Sequence, residues 1–482
     1  MSHLADTSTY EIISENTALA DATSLRKEIF QWTRDYRENL TDEIVHYIRH
    51  HLDTTIKDPF GYFYLLIKLH KTPISTRPVC SDCASLPHAL GKWVDTQLQP
   101  IVQRQKTYFK NSQALKHLLD NMHLPSNAKI FTYDAISMYT NIDTEDCIAR
   151  ISTYLLLPTT LATYPHLSPH ALIDALAIVM RNNRMRFGDL FVRQHKGIAM
   201  GMSPAPTIAN LYVAIFEEQH LLQNPPSSLP FLRRFIDDGF GIWLTNDNHT
   251  IDEQQWDSFK SKINNMGLTW EFSDRSDTVT FMDLTISLDS TGKFHTKIYA
   301  KPMALHLYIP PNSCHAPGVT TGLIFGHILR VHQLCSHQKD INKELHLFYK
   351  RLIGRGHSPS TILPLFSKAE ENARERVAKE KEALVDTPEA NATQDKSNYR
   401  SQLFFHLPYH PSNPSSTIIQ KIWRDTVASP HGLPELIQLK NRSGFDIPIE
   451  KLTIAYSRAP NLGNILSCRK LKTCVVRTVP QT

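Results

Sequence analysis

Apolar and polar positions along the chain follow two rhythms, one near helical spacing and one of short β-prone runs. Between Lys27 and His51 the apolar residues Ile29, Phe30, Tyr36, Leu40, Ile44, Tyr47 and Ile48 recur at helical intervals, predicting one or two amphipathic helices. An aromatic and aliphatic run from Phe60 to Leu69 leads through Lys71-Thr72-Pro73 into Arg77-Pro78-Val79-Cys80, the pattern of a strand hairpin carrying basic residues. Lys129 to Tyr133 (KIFTY) predicts a strand that delivers Asp134 at its end, followed by a helix from Asp143 to Leu156. After the flexible GIAMG at Gly197 to Gly201, Ser203 is expected as an N-cap with Pro204 at the first helical position. The helix that follows should place Ile208, Leu211, Tyr212, Ile215 and Leu222 on one face, against a sheet. Phe231 to Leu244 (FLRRFIDDGFGIWL) reads as two strands joined by a tight turn bearing Asp237 and Asp238. Further strands are expected at Leu268–Phe272, Val279–Leu288 and Phe294–Tyr299, giving the β-α-β-β pattern of a split, mostly antiparallel α+β domain. Helix resumes from Ala316 to Leu352. Lys368 to Lys396 mixes both charge signs as an exposed helix or linker, and Leu403 to Arg469 regains aromatic residues as a small separate lobe.

An acidic side chain among bulky apolar strand residues is costly unless paired or bound to metal, and this chain has two such places, FTYDAIS and RFIDDGF. Magnesium prefers a few carboxylates plus substrate phosphates to a full protein cage, so two or three Asp on adjacent strands suffice for a pair of ions about 3.5 to 4 Å apart. The plainer alternative makes Asp134 a helix cap and Asp237-Asp238 a hairpin turn, where Asp before Gly is common.

Composition sets outer bounds. A length of 482 residues accommodates roughly three structural units. With 41% apolar and 21% charged residues, wholesale disorder is excluded. A net charge of +5 is compatible with nucleic-acid binding but does not argue for it alone. No apolar run nears the roughly eighteen residues of a membrane helix, and Met1 to Thr17 lacks a basic stretch followed by an apolar one, so an intracellular protein is expected. Seven scattered cysteines suggest reduced thiols. Cys80 and Cys83 lack a second pair at finger spacing.

The ordered succession IKLHK, STRPVCS, YDAISMYTNI, GIAMGMSPAPTIAN, RRFIDDGFGIW and FMDLTI resembles the reverse transcriptases of Penelope-like retroelements over about Phe60 to Tyr349. YSRAPNLGNIL resembles the segment that follows the thumb in that family. The resemblance implies an α+β right hand: an N-terminal helical extension (1–57), fingers (58–125), a split β-α-β, ferredoxin-like palm (126–310, with a fingers insertion at about 145–195), a helical thumb (311–366), a charged linker or helix (367–400) and a C-terminal lobe (401–482). Asp134, Asp237 and Asp238 would be the catalytic acids and metal ligands, with Asp237 favoured over Asp238 because successive strand residues face opposite ways. Two Mg²⁺ ions, replaceable by Mn²⁺, would be the cofactor. Tyr139, five residues after Asp134, would lie beneath the nucleotide sugar, where its ring collides with a 2′-hydroxyl. Arg77 and Lys71, with Lys68 as a substitute, would grip the triphosphate. Gly197, Gly201 and Ser203 would let backbone approach the nascent base pair, and Phe235 and Ile236 would contact the primer.

Lys196 stands where many members of the family have Gln, and Phe235 where Tyr is frequent. No GIY-YIG endonuclease motif is recognisable. The implied partners are an RNA template, a DNA primer and dNTPs, without a membrane, in a protein working in the nucleus. Competing expectations are an inactive RNA-binding remnant of a retroelement and a telomerase-like polymerase. His327, His332 and His337 recur at spacing five, which drifts around a helix; they are expected beside phosphates with Arg330, Lys339 and Lys350.

Overall fold

The computed structural model describes residues 3–68, 74–83, 85–265, 267–386, 403–429, 434 and 452–457. Two compact units divide the chain, one of Met1–Ala304 with Leu334–His337, the other of Leu305–Gln333 with Gln338–Thr482. The first is mixed α/β. Its centre is a four-stranded antiparallel sheet in the order Phe231–Phe235, Asp238–Leu244, Ala128–Ala135, Trp270–Phe272.

Both faces of this sheet are covered, which explains why its strands read as nearly continuous apolar runs. One face carries Phe131 and Trp243 against Trp256 and Phe259 of the helix His249–Asn264, with Tyr133 beside Trp270 and Phe272. The other carries Ile130, Phe240 and Ile242 against Phe281, Leu284 and Ile286. These last three belong to a three-stranded sheet, Thr278–Phe281, Leu284–Leu288 and Phe294–Ile298. The stretch expected as one strand over Val279–Leu288 is thus a hairpin. It turns at Met282-Asp283, with Met282 at φ 54°.

Pairing explains two glycines of RFIDDGFGIW. Gly239 lies opposite Tyr133 and Gly241 opposite Phe131. A Cβ at Gly239 would come within 2.1 Å of the Tyr133 ring, and one at Gly241 within 2.3 Å of the Phe131 ring. The rings occupy the space the glycines leave, so aromatic and glycine form one packing unit across the strands.

A second, five-stranded sheet runs Tyr10–Ile13, Leu190–Gln194, Arg184–Phe187, Gly61–Lys68, Ser75–Ser81. The last two are the expected basic hairpin, paired from Tyr62 opposite Ser81 to Lys68 opposite Ser75. The N-terminal helices are Glu15–Asp35 and Asp42–Thr54, capped by the Ser14 and Thr41 hydroxyls; the first begins well before the periodic stretch. Helix Thr144–Leu155 is capped by Asp143.

Two expectations for the helix after the glycine loop need correction. Helix Ala205–Phe216 starts after Pro204, which takes the capping position without any side-chain cap, so Ser203 lies in the preceding turn and is not the N-cap. Nor is this helix one-faced. Residues Thr207 to Ile215 are all buried, and a π-helical turn, Glu217–Leu221, follows before Leu222.

The second unit contains helix Val319–Leu334 except its last residue, and helices Gln338–Gly354 and Pro359–Asp386. Gln338–Gly354 buries Ile341, Leu345, Phe348 and Leu352 and exposes Lys339, Lys343, His346 and Lys350 on the opposite side. His327 is not the phosphate-facing residue expected: its ring packs 4.0 Å from that of Phe348, and burial lowers its pKa to about 4. His337, in the first unit, stacks on His295 at 4.4 Å. Strands Leu403–Pro408 and Leu452–Ser457 pair in parallel beside helix Ser416–Thr426. Of YSRAPNLGNIL, all but Tyr456 and Ser457 lie outside the described residues. Among the described residues, no helix is long and apolar enough to cross a membrane.

Gly241→Ala should drive a methyl group into the Phe131 ring, lowering stability by about 1–3 kcal/mol, the usual cost of overpacking; urea denaturation followed by tryptophan fluorescence checks this.

Candidate active site

The carboxylates are placed by strand register. Asp134 lies directly opposite Asp238 in the antiparallel pair, and residues so opposed point to the same face. Phe235 opposes Asp238 on one side and Glu271 opposes Asp134 on the other, so Phe235, Asp238, Asp134 and Glu271 form one row across four strands. Asp237 sits in the turn beside this row, its carbonyl accepting from the Ala135 N–H at 3.1 Å. Asp134 is exposed; Asp237 and Asp238 are partly exposed.

The turn differs from the one the Asp-Gly pair suggested. Its two residues are Ile236 and Asp237, and Asp238 already begins the next strand. Ile236 has φ 57°, a left-handed conformation that a β-branched residue adopts only against its own sterics. Strain of this kind does not by itself mark function, since Met282 repeats it in the other hairpin. At Ile236 it turns the chain so that two successive aspartates approach Asp134.

The electrostatics follow. Burial, then the charges of Asp237 and Asp134, push the Asp238 carboxyl up to about 6, while Lys301 and Arg77 pull it down. Such a cluster attracts a cation. Among the described residues, no three carboxylate, imidazole or thiolate groups already converge on one ion position.

Arg77 is exposed on strand Ser75–Ser81, opposite Leu66, and its charge reaches Asp238 and Tyr139. Lys68 lies nearer the tip of the same hairpin, opposite Ser75, and Lys71 lies outside the described residues. Tyr139 is in the short helix Met138–Asn141, entered through Ser137 at φ 50°. Its hydroxyl is pushed up to about 12 by burial and by the charge of Asp237, with Arg77 opposing.

The glycine loop joins these parts. The Ile198 N–H donates to the Tyr139 carbonyl at 2.7 Å, and the Cys80 N–H donates to the Met200 carbonyl at 2.7 Å. Gly197 (φ 89°) and Gly201 (φ 108°) are in conformations that disfavour side chains, and a Cβ on them would meet the Tyr139 carbonyl at 2.6 Å and the Cys80 carbonyl at 2.2 Å. Both glycines are there because backbone crosses backbone at that point.

Sequence reading missed a second layer beneath the row. Arg234, opposite Gly239, is 2% exposed and paired with buried Glu217 at 2.8 Å. Its one advance signal is an arginine inside an apolar strand. Glu271 and Lys301 also went unmarked, since nothing in the sequence shows which strand neighbours Asp134.

A family model described as an animal helix-turn-helix domain matches residues 307–366. No curated protein sequence matches the chain. In structure the chain is similar to telomerase from Candida albicans in complex with a fragment of telomeric RNA: TM-score 0.45, 10% identity, 65% of this chain and 60% of that one. It is also similar to apo telomerase from Candida tropicalis: TM-score 0.40, 11% identity, 64% and 58%. A third likeness is to the Sicinivirus 3Dpol RNA-dependent RNA polymerase: TM-score 0.39, 12% identity, 67% and 71%. The chain thus spans less than two thirds of either telomerase chain, and at TM-scores below 0.5 the case for a function rests on the site itself.

Asp238 carries a folded pKa above its ordinary 3.8, so the folded protein holds this proton more tightly than the unfolded chain. Stability should therefore fall as pH rises from about 4 through about 6, and the full penalty should stand at neutral pH. Asp238→Asn should raise the Tm at pH 7 without divalent metal by about 1–2 °C, as expected for roughly 1 kcal/mol in a unit of this size. The gain should shrink toward pH 4, and matched melts of the two proteins over that range check it.

Proposed function

We propose that this chain is a reverse transcriptase: an RNA-directed DNA polymerase in which a primer 3′-hydroxyl attacks the α-phosphate of a dNTP and pyrophosphate leaves, encoded by a retrotransposon of the Penelope-like kind. The observation that carries the reading is the register that sets Asp134 against Asp238 with Asp237 in the adjoining turn. In this reading the four-stranded sheet is the palm, the hairpin Gly61–Lys68 and Ser75–Ser81 belongs to the fingers, and helices Val319–Leu334 and Gln338–Gly354 belong to the thumb.

Asp134 and Asp237, with Asp238 beside them, would hold two Mg²⁺ ions, for which Mn²⁺ substitutes. Bound there, the ions would supply charge neutralisation at the attacking and leaving oxygens. The chain's own residues supply position. Arg77 offers a guanidinium fork to a triphosphate from its strand, with Lys68 further along the hairpin and Lys71 given the same task by the resemblance. Tyr139 sets its ring beneath the sugar, excluding a 2′-hydroxyl. Gly197, Gly201 and Ser203 bring backbone near the base pair, and Phe235 and Ile236 lie on the primer side. The half-buried Phe235 ring, 5.8 Å from that of Phe109, is held by the core on one side. Partners would be an RNA template, a DNA primer and dNTPs, in the nucleus.

Primer extension on an RNA template in Mg²⁺ tests the reading. Asp237→Ala should lower dNTP incorporation by at least about 10²–10³-fold, the scale for losing one electrostatic stabiliser. Equal incorporation by the variant, or none by the native protein in either Mg²⁺ or Mn²⁺, counts against it; RNA binding without extension would favour the remnant. Tyr139→Ala should admit ribonucleotides while keeping DNA synthesis, and unchanged sugar selectivity would remove Tyr139 from its assigned place.

A further inference from the structure

The Arg234 guanidinium has five N–H donors, and every one is used. Nε and Nη2 donate to the two Glu217 oxygens at 2.8 and 3.0 Å. Nη1 donates to the Asn210 side-chain oxygen at 2.9 Å, and Nη2 to the Asn210 carbonyl at 3.1 Å. The fifth bond, from Nη1, goes to the carbonyl of Ile236 at 2.7 Å. Glu217 in turn accepts from the Thr107 hydroxyl at 2.7 Å, and the Arg234 N–H donates to the Thr107 carbonyl at 2.7 Å. Arg234 and Glu217 are both essentially without solvent contact. A buried ion pair often adds little to stability, so this one calls for another reason to be there.

Its place in the fold suggests one. Asn210 lies on helix Ala205–Phe216, which continues the glycine loop; Glu217 opens the π-helical turn after it. Ile236 is the strained residue whose left-handed backbone places Asp237, and its carbonyl is the peptide group that joins them. Burial alone would push the Arg234 guanidinium down, but Glu217 holds it above its ordinary range, so the cation is permanent.

We propose that Arg234 is a positioning residue for Asp237: gripped by Glu217 and Asn210, it fixes the Ile236 carbonyl and so holds the turn in the conformation that presents the Asp237 carboxylate. The proposal rests on the polymerase reading for what Asp237 does and on the hydrogen bonds alone for how the turn is held. Lysine cannot replace arginine here, because a compact ammonium with three donors cannot span five acceptor directions.

Three readouts on the full chain test it in Arg234→Lys, with the pair variant Arg234→Met/Glu217→Met, which removes both charges together, in case the lysine protein fails to melt cooperatively. Amide exchange of the 231–244 segment should speed up by about tenfold or more at the turn, and Mn²⁺ binding followed by electron paramagnetic resonance should weaken by about 10–100-fold, the range seen when residues orienting a metal ligand are lost. In primer extension kcat should fall while the KM for dNTP stays within about threefold, and Mn²⁺ should restore more activity than Mg²⁺, whose shell demands stricter geometry. A folded variant with turn exchange and Mn²⁺ affinity within about twofold of the native protein would overturn the proposal. Native protein whose Mn²⁺ binding is indifferent to Asp237→Ala would instead overturn the polymerase reading, with turn exchange still deciding the clamp.

Discussion

Two like charges face each other across an antiparallel pair at Asp134 and Asp238, an arrangement that works against the sheet containing it. The remaining structure around the site holds that pair together. On the reverse side of the same two strands, Tyr133 covers Gly239 and Phe131 covers Gly241; the helix bearing Trp256 and Phe259 closes over the Phe131 ring, and Trp270 and Phe272 pack on Tyr133. Apolar burial on that face keeps the strands in register while the opposite face carries unfavourable charge. Burial first, and then the charges of Asp237 and Asp134, raise the Asp238 carboxyl above its ordinary range.

A fixed register alone would not present Asp237, which belongs to a turn. There the polypeptide adopts a conformation that its own side chain, Ile236, resists, and the resistance is met from below by the Arg234 guanidinium. The charged layer and the aromatic layer therefore do different work. One fixes where the strands lie, the other how the connection between them is bent. Both act on backbone, leaving the carboxylates facing outward.

Much of the first unit is legible in the sequence because its signals are local. KIFTY followed by Asp134, the hairpin around Asp237, the basic hairpin carrying Arg77 and the helix opened by Asp143 each depend on residues near one another in the chain. What escapes is set by distant contacts. Strands Tyr10–Ile13, Arg184–Phe187 and Leu190–Gln194 are short, and tertiary pairing decides them. The Met282 turn hides within an apolar run, because a left-handed methionine leaves no turn residue to read. Ser203 looks like a helix cap by residue type, yet the helix begins later, with Pro204 packed against Gly91. In the same way Arg234 and Arg233 are indistinguishable as letters; alternation sends one under the carboxylates and leaves the other partly exposed.

The stretch from Gly197 to Gly201 is bonded at one end to the Tyr139 carbonyl and at the other to the Cys80 amide, which belong to different sheets' surroundings. Five residues bridge a fixed gap between two frameworks. This segment is therefore fixed in its length: one residue more or fewer would lift one of the glycines off its crossing point and set strand Ser75–Ser81 and Tyr139 out of step with each other.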